Sequence, residues 1–593
     1  METRHQDIYQ YIKSEENSYQ LPINILDWEW SMAEHIKTTF YYKHGRLLTG
    51  NNPNKPVKNI TKPILNLQYR AEDIDVKDIL FYIDDPDKYH LSFLIKKYHD
   101  DVFLKENNID EFIDEYKISR IDYGLGLCKD IGKPKPDVIA LPSIAFCDQT
   151  DILSGPIGLR HFYSPDQLKE MEAFGWGDEK NGATISTDDL IALADTSKKD
   201  KDGKETKTPG KYIQVYEVNG TLPERFLTDD AEDNKYVSQM QVVAFYQKEN
   251  GEKEGVTLFA KKRKGMPFKI SVRDPVYGRA CGFGGAEELF EDQVWTNYNM
   301  IRMKEMLDAA AKTILQTTDA GFAARNNIKN MDNLEVAVLE ADSTLSQVDT
   351  FPRNISLFQS STAEWEAHAQ QMGAANDSIM GKNPNSGTPF KLQELVTQES
   401  HSLHDYRRGQ FAKDLEAVYK DWIIPYITKE ITKGNKFFST LDLDEMQQVA
   451  EKVITNATNN KIKEMILNGE EIMDEEMEQF KMKAKEEFMK DNRKFIEILE
   501  GELEDAQISI NINIAGKQKD MASNIDKLTN VFRQISANPQ ILEIPQMAKL
   551  FNQIMEGSGL SPIDFSMMKT PVPQTAGQPQ QLPQPNINNQ QQL

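Results

Sequence analysis

The stretch EELFEDQVWTNYNMIRMKEMLDAAAKTILQ, residues 287–316, decides the architecture that this sequence predicts. Apolar side chains recur in it at helical spacing and predict one apolar face on a long helix: Met300, Met303, Leu307, Ala311 and Ile314. Residues 356–380 (SLFQSSTAEWEAHAQQMGAANDSIM) carry a second such face, formed by Phe358, Thr362, Trp365, Ala369, Met372 and Ile379. Two helices this close in sequence are predicted to pack as a hairpin.

The segment between the two helices, residues 317–352, is too irregular to be helical. Its apolar run at 336–339 (VAVL) predicts a short strand. The hairpin is therefore expected to carry a small α/β insertion between its two helices.

Upstream of the hairpin the sequence pattern changes. The first 110 residues are predicted to be mostly helical, and residues 120–275 to contain mostly strands. Two apolar runs, 242–246 and 256–259, flank a polar connection that contains Asn250-Gly251, which predicts a β-hairpin with a long loop. The charged run 197–211 predicts a solvated loop.

Downstream of the hairpin, residues 380–389 (MGKNPNSGTP) have the composition of an exposed irregular loop. A third helix is predicted to follow, with Thr388 as its N-cap and Pro389 in its first turn. Its apolar stripe comprises Leu395, Leu403, Tyr406, Phe411, Leu415, Val418, Tyr419 and Trp422. We expect Pro425 to kink or end this helix.

The last part of the chain is more varied. Residues 440–505 are acidic and helix-prone, whereas residues 508–514 alternate isoleucine with serine or asparagine and predict a half-buried strand. Two short helices are expected within 520–558, and the Pro-, Gln- and Asn-rich tail from Thr570 is expected to be disordered. The predicted fold class is α+β and helix-rich.

Composition excludes several classes of protein. The chain has 593 residues and a formal net charge of −24, so a protein that grips nucleic-acid phosphates is not expected. Three widely spaced cysteines (Cys128, Cys147 and Cys281) cannot form a disulfide framework and indicate reduced thiols of a cytosolic product. The first residues do not resemble a signal peptide, and no apolar run approaches the roughly 18 residues that span a bilayer.

Four segments were weighed as sites of chemistry. Residues 278–285 (GRACGFGG) stand where a dinucleotide-binding loop would stand, but position 287, where the third glycine is required, is Glu287, so a structural turn is favoured. Glu287 and Glu288 suit the positive end of a helix dipole. Glu399, His401 and His404 have a spacing that could hold a metal, but a polar helix face is favoured.

The other two segments are charged. Residues 200–203 (DKDG) resemble a fragment of a calcium loop, but the positions that would complete the ligand set are Lys198 and Pro209, which favours an exposed loop. The basic run 261–264 (KKRK) lacks the interleaved aromatic residues of a nucleic-acid platform and favours a solvated strand end or a subunit contact. With no P-loop and no recognisable nucleophile, the sequence predicts a non-enzymatic protein without cofactor or metal.

The order of these parts resembles the portal (head–tail connector) proteins of tailed double-stranded DNA bacteriophages, in the short-tailed branch. Gly278-Arg279, Glu288, Asp292 and Asn297 are similar to the family's G-R-G…G-E…D…N opening of the first stem helix. Residues 388–394 (TPFKLQE) resemble the start of the long helix after the tunnel loop. The end of that helix is similar to residues 415–427, and the late wing strand before the crown to residues 508–516.

The resemblance implies a division of the chain into the parts of a portal protomer. The wing would comprise 1–283, the stem helices 284–316 and 356–380, the clip 317–355, the tunnel loop 381–389, the long wing helix 390–436, an acidic helical insertion and wing strand 437–517, the crown 518–566 and a disordered tail 567–593. Lys382, Asn383, Asn385 and Lys391 would face DNA in the channel, and the stem interfaces would include Met303, Leu307, Trp365 and Met372.

The resemblance also implies a function and a set of partners. The protein would form a homo-oligomeric, dodecameric ring at one capsid vertex of the virion, after synthesis in the host bacterial cytoplasm. Double-stranded DNA would pass through its channel during packaging and ejection. Its partners would be the terminase large subunit, the major capsid protein and tail adaptor proteins, with no membrane. An acidic ring would let a polyanion slide because it offers few phosphate contacts.

Two other classes of function stay open at this stage. One is a nucleotide- or metal-dependent DNA-processing enzyme that uses the 278–288 turn or the His401/His404 pair. The other is a virion adaptor or scaffold that has the helical hairpin but no channel.

Overall fold

The structure is a computed structural model. It describes residues 2–46, 55–76, 79–83, 89–194, 198–199, 205–206, 212–228, 235–247, 253–331, 336–351, 354–375, 379–380, 402–433, 443–468 and 508–512, with isolated positions at 479, 482–483, 499–500, 503 and 533. The chain divides into two compact units, residues 1–78 with 104–426 and residues 79–103 with 427–593.

The predicted α+β, helix-rich class is confirmed by the elements of the described residues. The helices are α1 Glu2–Tyr19, α2 Met32–Lys43, α3 Thr61–Ala71, α4 Tyr89–Tyr98, α5 Leu104–Asn107, α6 Ile109–Tyr123, α7 Pro165–Glu170, α8 Thr187–Ala194, α9 Gly285–Glu288, α10 Phe290–Ala310, α11 Phe322–Arg325, α12 Ile355–Met372, α13 Ser402–Val418, α14 Ile424–Thr432 and α15 Leu443–Leu467. The strands are β1 Ile23–Ile25, β2 Trp28–Trp30, β3 Ile79–Ile83, β4 Leu125–Lys129, β5 Asp137–Val138, β6 Ile144–Phe146, β7 Ile157–Tyr163, β8 Lys198–Lys199, β9 Glu205–Thr206, β10 Ile213–Pro223, β11 Tyr236–Gln247, β12 Lys253–Lys262, β13 Phe268–Val272, β14 Leu315–Thr317, β15 Leu345–Gln347 and β16 Ile508–Ile512.

The first unit is built around two antiparallel sheets. The larger sheet has the strand order β12-β11-β10-β7-β6, and the smaller one has the order β13-β4-β5. The predicted β-hairpin is confirmed: β11 pairs with β12, with a bulge between Val242 and Val243. Helix α1 buries Ile8 and Ile12 in the same core as residues of β4, β7 and β10. This packing places the sheets and the N-terminal helices in one core.

The predicted solvated loop at 197–211 is partly wrong. Residues 198–199 and 205–206 pair as the short antiparallel strands β8 and β9. A few backbone hydrogen bonds between two polar strands satisfy peptide groups without an apolar core, which is why the composition did not reveal them. The candidate calcium fragment at 200–203 lies outside the described residues.

The predicted pair of long helices is present as α10 and α12, and both are shorter than predicted. Helix α10 ends at Ala310, where the Thr350 hydroxyl donates a hydrogen bond to the Ala310 carbonyl (3.3 Å). Ala311 and Ile314 therefore lie beyond the helix rather than on its apolar face. Helix α12 ends at Met372, because Gly373 and the positive φ of Ala374 turn the chain, and Ile379 lies outside it.

The insertion between α10 and α12 contains strands, but not the predicted one. Strands β14 and β15 pair at its entrance, with Gln316 opposite Ser346. Residues 336–339 form no strand, because the Asn326 side-chain amide takes the hydrogen bonds of the Val338 backbone that a partner strand would take (both 2.8 Å). The sequence prediction of a strand at 336–339 is wrong for that reason.

The third helix passes Pro425 instead of ending there. Helix α13 widens into a π-helical turn at Tyr419–Ile423, and α14 continues from Ile424 to Thr432. Pro425 occupies the first turn of α14, where a missing backbone N–H is tolerated. Leu403 and Tyr406 of the predicted stripe are exposed, whereas Phe411, Leu415, Val418 and Tyr419 are buried. The predicted start at Thr388 and Pro389, and Leu395, lie outside the described residues.

The second unit contains the predicted isoleucine strand. Strand β16 pairs antiparallel with β3, with Ile508 opposite Ile83 and Ile512 opposite Ile79. Ile79, Ile83 and Ile512 are buried, which confirms a strand with an apolar face over 508–512. Helix α4 packs on β3, and α15 accounts for part of the acidic helix-prone segment. The segment 520–558 and the tail lie outside the described residues, apart from one position.

Candidate functional site

The helical hairpin formed by α10 and α12 is the candidate site, and the glycine-rich turn 278–285 positions its base. The turn leads from β13 into α9, the single helical turn that precedes α10. Its backbone packs directly against other backbone: a Cβ added to Gly282 would lie 1.7 Å from the Arg273 carbonyl oxygen, and one added to Gly284 would lie 2.3 Å from the Asp122 carbonyl oxygen. The glycines therefore serve close packing of backbone against backbone, which supports the interpretation of this segment as a structural turn.

Arg279 holds the turn to the start of the helix. Its guanidinium donates two hydrogen bonds to the Glu287 carboxylate, both 2.8 Å long. Three aromatic rings surround it, with its guanidinium carbon 5.0 to 5.4 Å from the centroids of Phe283, Trp30 and Trp28. A buried, bidentate and aromatic-stacked arginine fixes geometry. Gly278-Arg279 is therefore a structural anchor for the helix.

The segment 148–151 (DQTD), which sequence reasoning did not explain, supports the same turn. The Gln149 side chain accepts a hydrogen bond from the Met32 N–H (2.8 Å) and donates to the carbonyls of Tyr19 and Leu21. The Gln149 backbone carbonyl accepts from the Ala280 N–H (2.8 Å). One buried glutamine thus ties the N-terminal helices to the glycine-rich turn. No sequence motif announces this role, because its partners are backbone groups far away in sequence.

A buried charge cluster lies beneath α9. Glu72 accepts hydrogen bonds from Arg120 and Arg273 (3.4 Å each), and all three side chains are at most 2 % exposed. Burial raises the pKa of the Glu72 carboxyl, but His404 and the surrounding arginines outweigh burial, so its pKa lies below the ordinary value. This cluster keeps Glu72 charged in the protein interior.

The same cluster joins α9 to α13. Arg407 of α13 contacts both Glu288 of α9 and Asp274, and Arg273 also contacts Glu288 (3.3 Å). The predicted place of Glu288 at a helix N-terminus is correct, and its charge is neutralised by two arginines rather than by the helix dipole alone.

His404 lies in this cluster. Its Nε2 lies 3.2 Å from the Ala374 carbonyl oxygen and its Nδ1 lies 3.7 Å from Glu72 Oε1, with the ring fully buried. Because a carbonyl only accepts, Nε2 is the donor in the contact with Ala374. Among the described residues no group of three His, Cys, Asp or Glu side chains could hold a metal ion; Glu399 and His401 lie outside them.

Polar side chains fix the base of α10 to residues 58–61. Gln293 accepts hydrogen bonds from the Ile60 and Thr61 N–H groups (2.9 and 3.3 Å) and donates to the Lys58 carbonyl (2.7 Å). Asn297 accepts from the Lys58 N–H (3.1 Å). The base of this helix is thus held by satisfied polar contacts in a buried setting.

Three contacts show how α12 returns beside α10. Asp292 contacts His368 (2.7 Å), Trp295 stacks on Trp365 with centroids 6.1 Å apart, and Asn299 donates to Ser361 (3.0 Å). Because later residues of α10 contact earlier residues of α12, the two helices are antiparallel.

The burial pattern of α10 is the reverse of that of an ordinary surface helix. Its buried residues are all polar: Asp292, Gln293, Thr296, Asn297 and Asn299. Beside its exposed charged residues, three large side chains with apolar surface, Trp295, Tyr298 and Leu307, are between 45 % and 51 % exposed. On α12, Leu357 and Met372 are also exposed. Trp295 and Tyr298 contact each other and form an exposed aromatic patch, which is a feature of interaction sites.

The exposed surface of α10 has two faces. One, which we call the aromatic face, carries Glu291, Trp295, Tyr298 and Arg302, at i, i+4, i+7 and i+11. The other borders an open groove between α10 and α12, which we call the methionine groove; it is lined by Met300, Met303, Lys304 and Leu307 of α10, by Ile355, Gln359, Thr362, Ala363 and Glu366 of α12, and by Pro56 and Lys58. At 3.6 residues per turn, the two faces lie about 160° apart around the axis of α10.

The structure brings together some of the predicted interface residues. Met303 and Leu307 border the methionine groove, Trp365 stacks on Trp295, and Met372 is exposed near the end of α12. Lys382, Asn383, Asn385 and Lys391 lie outside the described residues.

The remaining charged and sulfur-bearing candidates have local roles. In the basic run 261–264, Lys262 contacts Glu224 and Arg263 donates to the Asp130 carbonyl. The three cysteines are free, and burial raises the pKa of the Cys128 and Cys281 thiols to about 12.

No helix within the described parts of the chain is long and apolar enough to cross a bilayer.

Comparison with known proteins gives only distant similarity. No protein-family model matches the chain, and no curated protein matches it. Two solved structures are similar to it: the virion of a native gene transfer agent (GTA) particle, at 9 % identity and a TM-score of 0.28 over 73 % of this chain and 86 % of that one, and the neck of an empty GTA particle, at 9 % identity and a TM-score of 0.28 over 71 % and 83 %. Likenesses of this size decide neither fold nor function.

Proposed function

We propose that this chain is a portal-type virion protein of a tailed double-stranded DNA phage. It would assemble into a ring at one capsid vertex, conduct the genome during packaging and ejection, and attach the terminase and the tail adaptors. In this proposal 284–316 and 356–380 form the stem, 317–355 the clip, 381–389 the tunnel loop, and the wing and crown comprise the other parts named above.

The observation that carries the proposal is the reversed burial of α10. A helix that buries polar residues in its own chain and exposes Trp295, Tyr298 and Leu307 presents apolar surface for another molecule to cover. Its two apolar faces lie nearly opposite each other, so a partner is needed on each side. Identical subunits that each use two different faces close into a ring when the rotation between them permits.

Charge supports a conduit rather than a clamp. Each chain carries a formal net charge of −24, so a ring of such chains presents a strongly acidic particle to DNA. DNA-binding proteins that hold their ligand neutralise many phosphates with lysine and arginine. A channel through which thousands of base pairs must slide is better served by negative charge, because acidic walls make few contacts with phosphates.

Electron microscopy of the purified full chain tests the proposal. We expect closed rings with a central hole, and we expect Trp295→Glu and Leu307→Glu each to dissociate them. Glu34→Gln and Lys37→Gln, exposed charge changes on α2 away from the hairpin, are the controls and should leave the rings intact. A monodisperse monomer of the wild-type chain would contradict the proposal, and open, non-cyclic assemblies would favour an adaptor or scaffold.

A second measurement tests the conduit. Titration of a fluorescent DNA duplex into the purified rings at low salt should show weaker binding than titration into any protein with a basic surplus of similar size. Tight, salt-sensitive binding by the assembled rings would contradict a channel that does not grip its DNA.

A further inference from the structure

The opposite faces of the hairpin differ in chemistry, and this difference says which surfaces meet. We propose that the aromatic face of one protomer docks into the methionine groove of the next, so that the hairpins associate head to tail. This inference rests on the proposed ring and adds its interface and register.

The groove is a ready receptor for bulky apolar side chains. It encloses about 610 Å³ and opens to solvent between α10 and α12. Met300 and Met303 form its wall on α10, and Ile355 is half-buried on the opposite helix. Near the base of the hairpin, residues 58–61 cover this side of α10 through Gln293 and Asn297, and the groove begins where that cover stops. The same side of the helix is therefore closed by its own chain at one end and open at the other.

The aromatic face offers the matching surface. Trp295 and Tyr298 meet edge to face with centroids 5.8 Å apart, and each is close to half exposed. Arg302 lies over the Tyr298 ring at 5.2 Å and donates to Glu305 (2.9 Å), which holds the ring in place. Rigid aromatic side chains are the usual anchors of protein interfaces. Methionine thioethers adapt their shape to such rings and make favourable sulfur–aromatic contacts.

Charges at the rims are complementary as well. Glu291 on the aromatic face and Glu364 on α12 are exposed carboxylates. The groove is rimmed by Lys58 and Lys304, whose present partners Glu366 and Asp308 are themselves partly exposed. A lysine ammonium has three N–H donors, so each of these lysines can also donate a hydrogen bond to a second carboxylate.

Pairing of like faces would leave one apolar face of each protomer exposed to solvent. Two aromatic faces packed against each other would form a closed dimer and leave both grooves open, and two grooves packed together would leave both aromatic faces in water. Only the unlike pair covers both faces in every protomer. This is why a second copy, presented by its aromatic face, is the occupant that we infer for the groove.

Disulfide or bis-maleimide crosslinking of paired cysteine variants tests the proposal. The variants are Tyr298→Cys, Met303→Cys, and the chain that carries both. We expect neither single variant to crosslink alone, the coexpressed mixture of the two to give covalent dimers, and the double variant to give a ladder of covalent oligomers. Wild-type protein reports the background from Cys128, Cys147 and Cys281, and Phe174→Cys is the matched exposed control away from the hairpin.

Each other outcome contradicts the inference in a distinct way. Covalent dimers from Tyr298→Cys alone would show that like faces meet. Intact rings by microscopy without crosslinks in the mixture or the double variant would overturn this interface and leave the proposed ring standing. A chain that is monomeric in both experiments would overturn the ring and the interface together.

Discussion

The base of the helical hairpin and its outer surface follow opposite rules. At the base, Gln293 and Asn297 are buried and hydrogen-bonded to residues 58–61, whereas Trp295 and Leu307 are about half exposed on the same helix. The polar groups of the base are therefore satisfied within the chain, whereas the outer surface carries apolar side chains that the proposed neighbouring protomer would cover. One helix thus meets two environments, the interior of its own chain and a surface open to other molecules. Variants at the base should therefore destabilise the fold, whereas variants on the outer surface should only weaken assembly.

The largest effect is expected in the buried charge cluster. Glu72→Ala leaves Arg120 and Arg273 without their shared carboxylate in a fully buried setting, and we expect a loss of about 3–5 kcal/mol in the free energy of unfolding. Denaturant titration at a concentration where the chain is dissociated measures it. Lys37→Ala, at an exposed ion pair with Glu34, is the control and should change stability by less than about 1 kcal/mol. Equal losses for the two variants would remove the distinction between base and surface.

Overpacking the glycine-rich turn should have the next largest effect. Gly282→Ala places a methyl group against the Arg273 carbonyl, which is backbone and cannot rotate away, so we expect a loss of about 1–3 kcal/mol. In Gly155→Ala the added carbon meets only an ordinary contact at 3.5 Å, and thermal melting should show little change. Unchanged stability of Gly282→Ala would mean that the turn is looser than described.

The hydrogen bonds of Gln293 to residues 58–61, which we call the polar clamp of α10, should have an effect of the same order. Gln293→Ala leaves the N–H groups of Ile60 and Thr61 without their acceptor, and we expect a loss of about 1–3 kcal/mol. Hydrogen exchange at these two amides should rise with it. Protection equal to that of wild type would show that the clamp does not hold this segment.

Acid should weaken the base of the hairpin. The pKa of Glu72 in the folded protein lies below its ordinary value, so the stabilisation is present above about pH 4.3 and is lost as the pH falls through the lower, folded pKa. We expect the unfolding free energy of wild type to fall on acidification more steeply than that of Glu72→Gln. Parallel pH profiles would exclude Glu72 as a source of the acid sensitivity.

The smallest effect on stability is expected on the outer surface. Leu307→Asn changes a side chain that is 51 % exposed, so the unfolding free energy of the dissociated chain should stay within about 0.5 kcal/mol of wild type. Sedimentation should nevertheless show weaker assembly. A loss of stability as large as that of Gln293→Ala would place Leu307 inside its own chain's packing.

Periodicity in the sequence predicted the elements but not their contacts. The 3.6-residue pattern located α10 and α12, and strict alternation located β16, because each pattern follows from local geometry. The ends of α10 and α12 were placed too late, because Thr350 and the positive φ of Ala374 act through the folded chain. The strand predicted at 336–339 failed because one asparagine, Asn326, takes its hydrogen bonds.

The candidate site was predicted only in part. Met303, Leu307, Trp365 and Met372 were named from helical spacing, and all four lie on the hairpin. The aromatic face was missed, since Trp295 and Tyr298 fall on the opposite side of α10 from the predicted apolar stripe. The sequence did contain a signal for this face. Gln293, Thr296 and Asn297 are polar, and they occupy the buried positions that an ordinary amphipathic helix fills with apolar residues.

Hydroxyl-radical labelling of the assembled full chain tests the central claim most directly. The rates at Trp295 and Met303 would be compared with those in the dissociated chain, and Tyr277, 86 % exposed and outside the hairpin, would serve as the internal reference. The account predicts that assembly protects both hairpin residues relative to Tyr277. Labelling of Trp295 and Met303 at the same rate in both states would show that no second copy covers the hairpin.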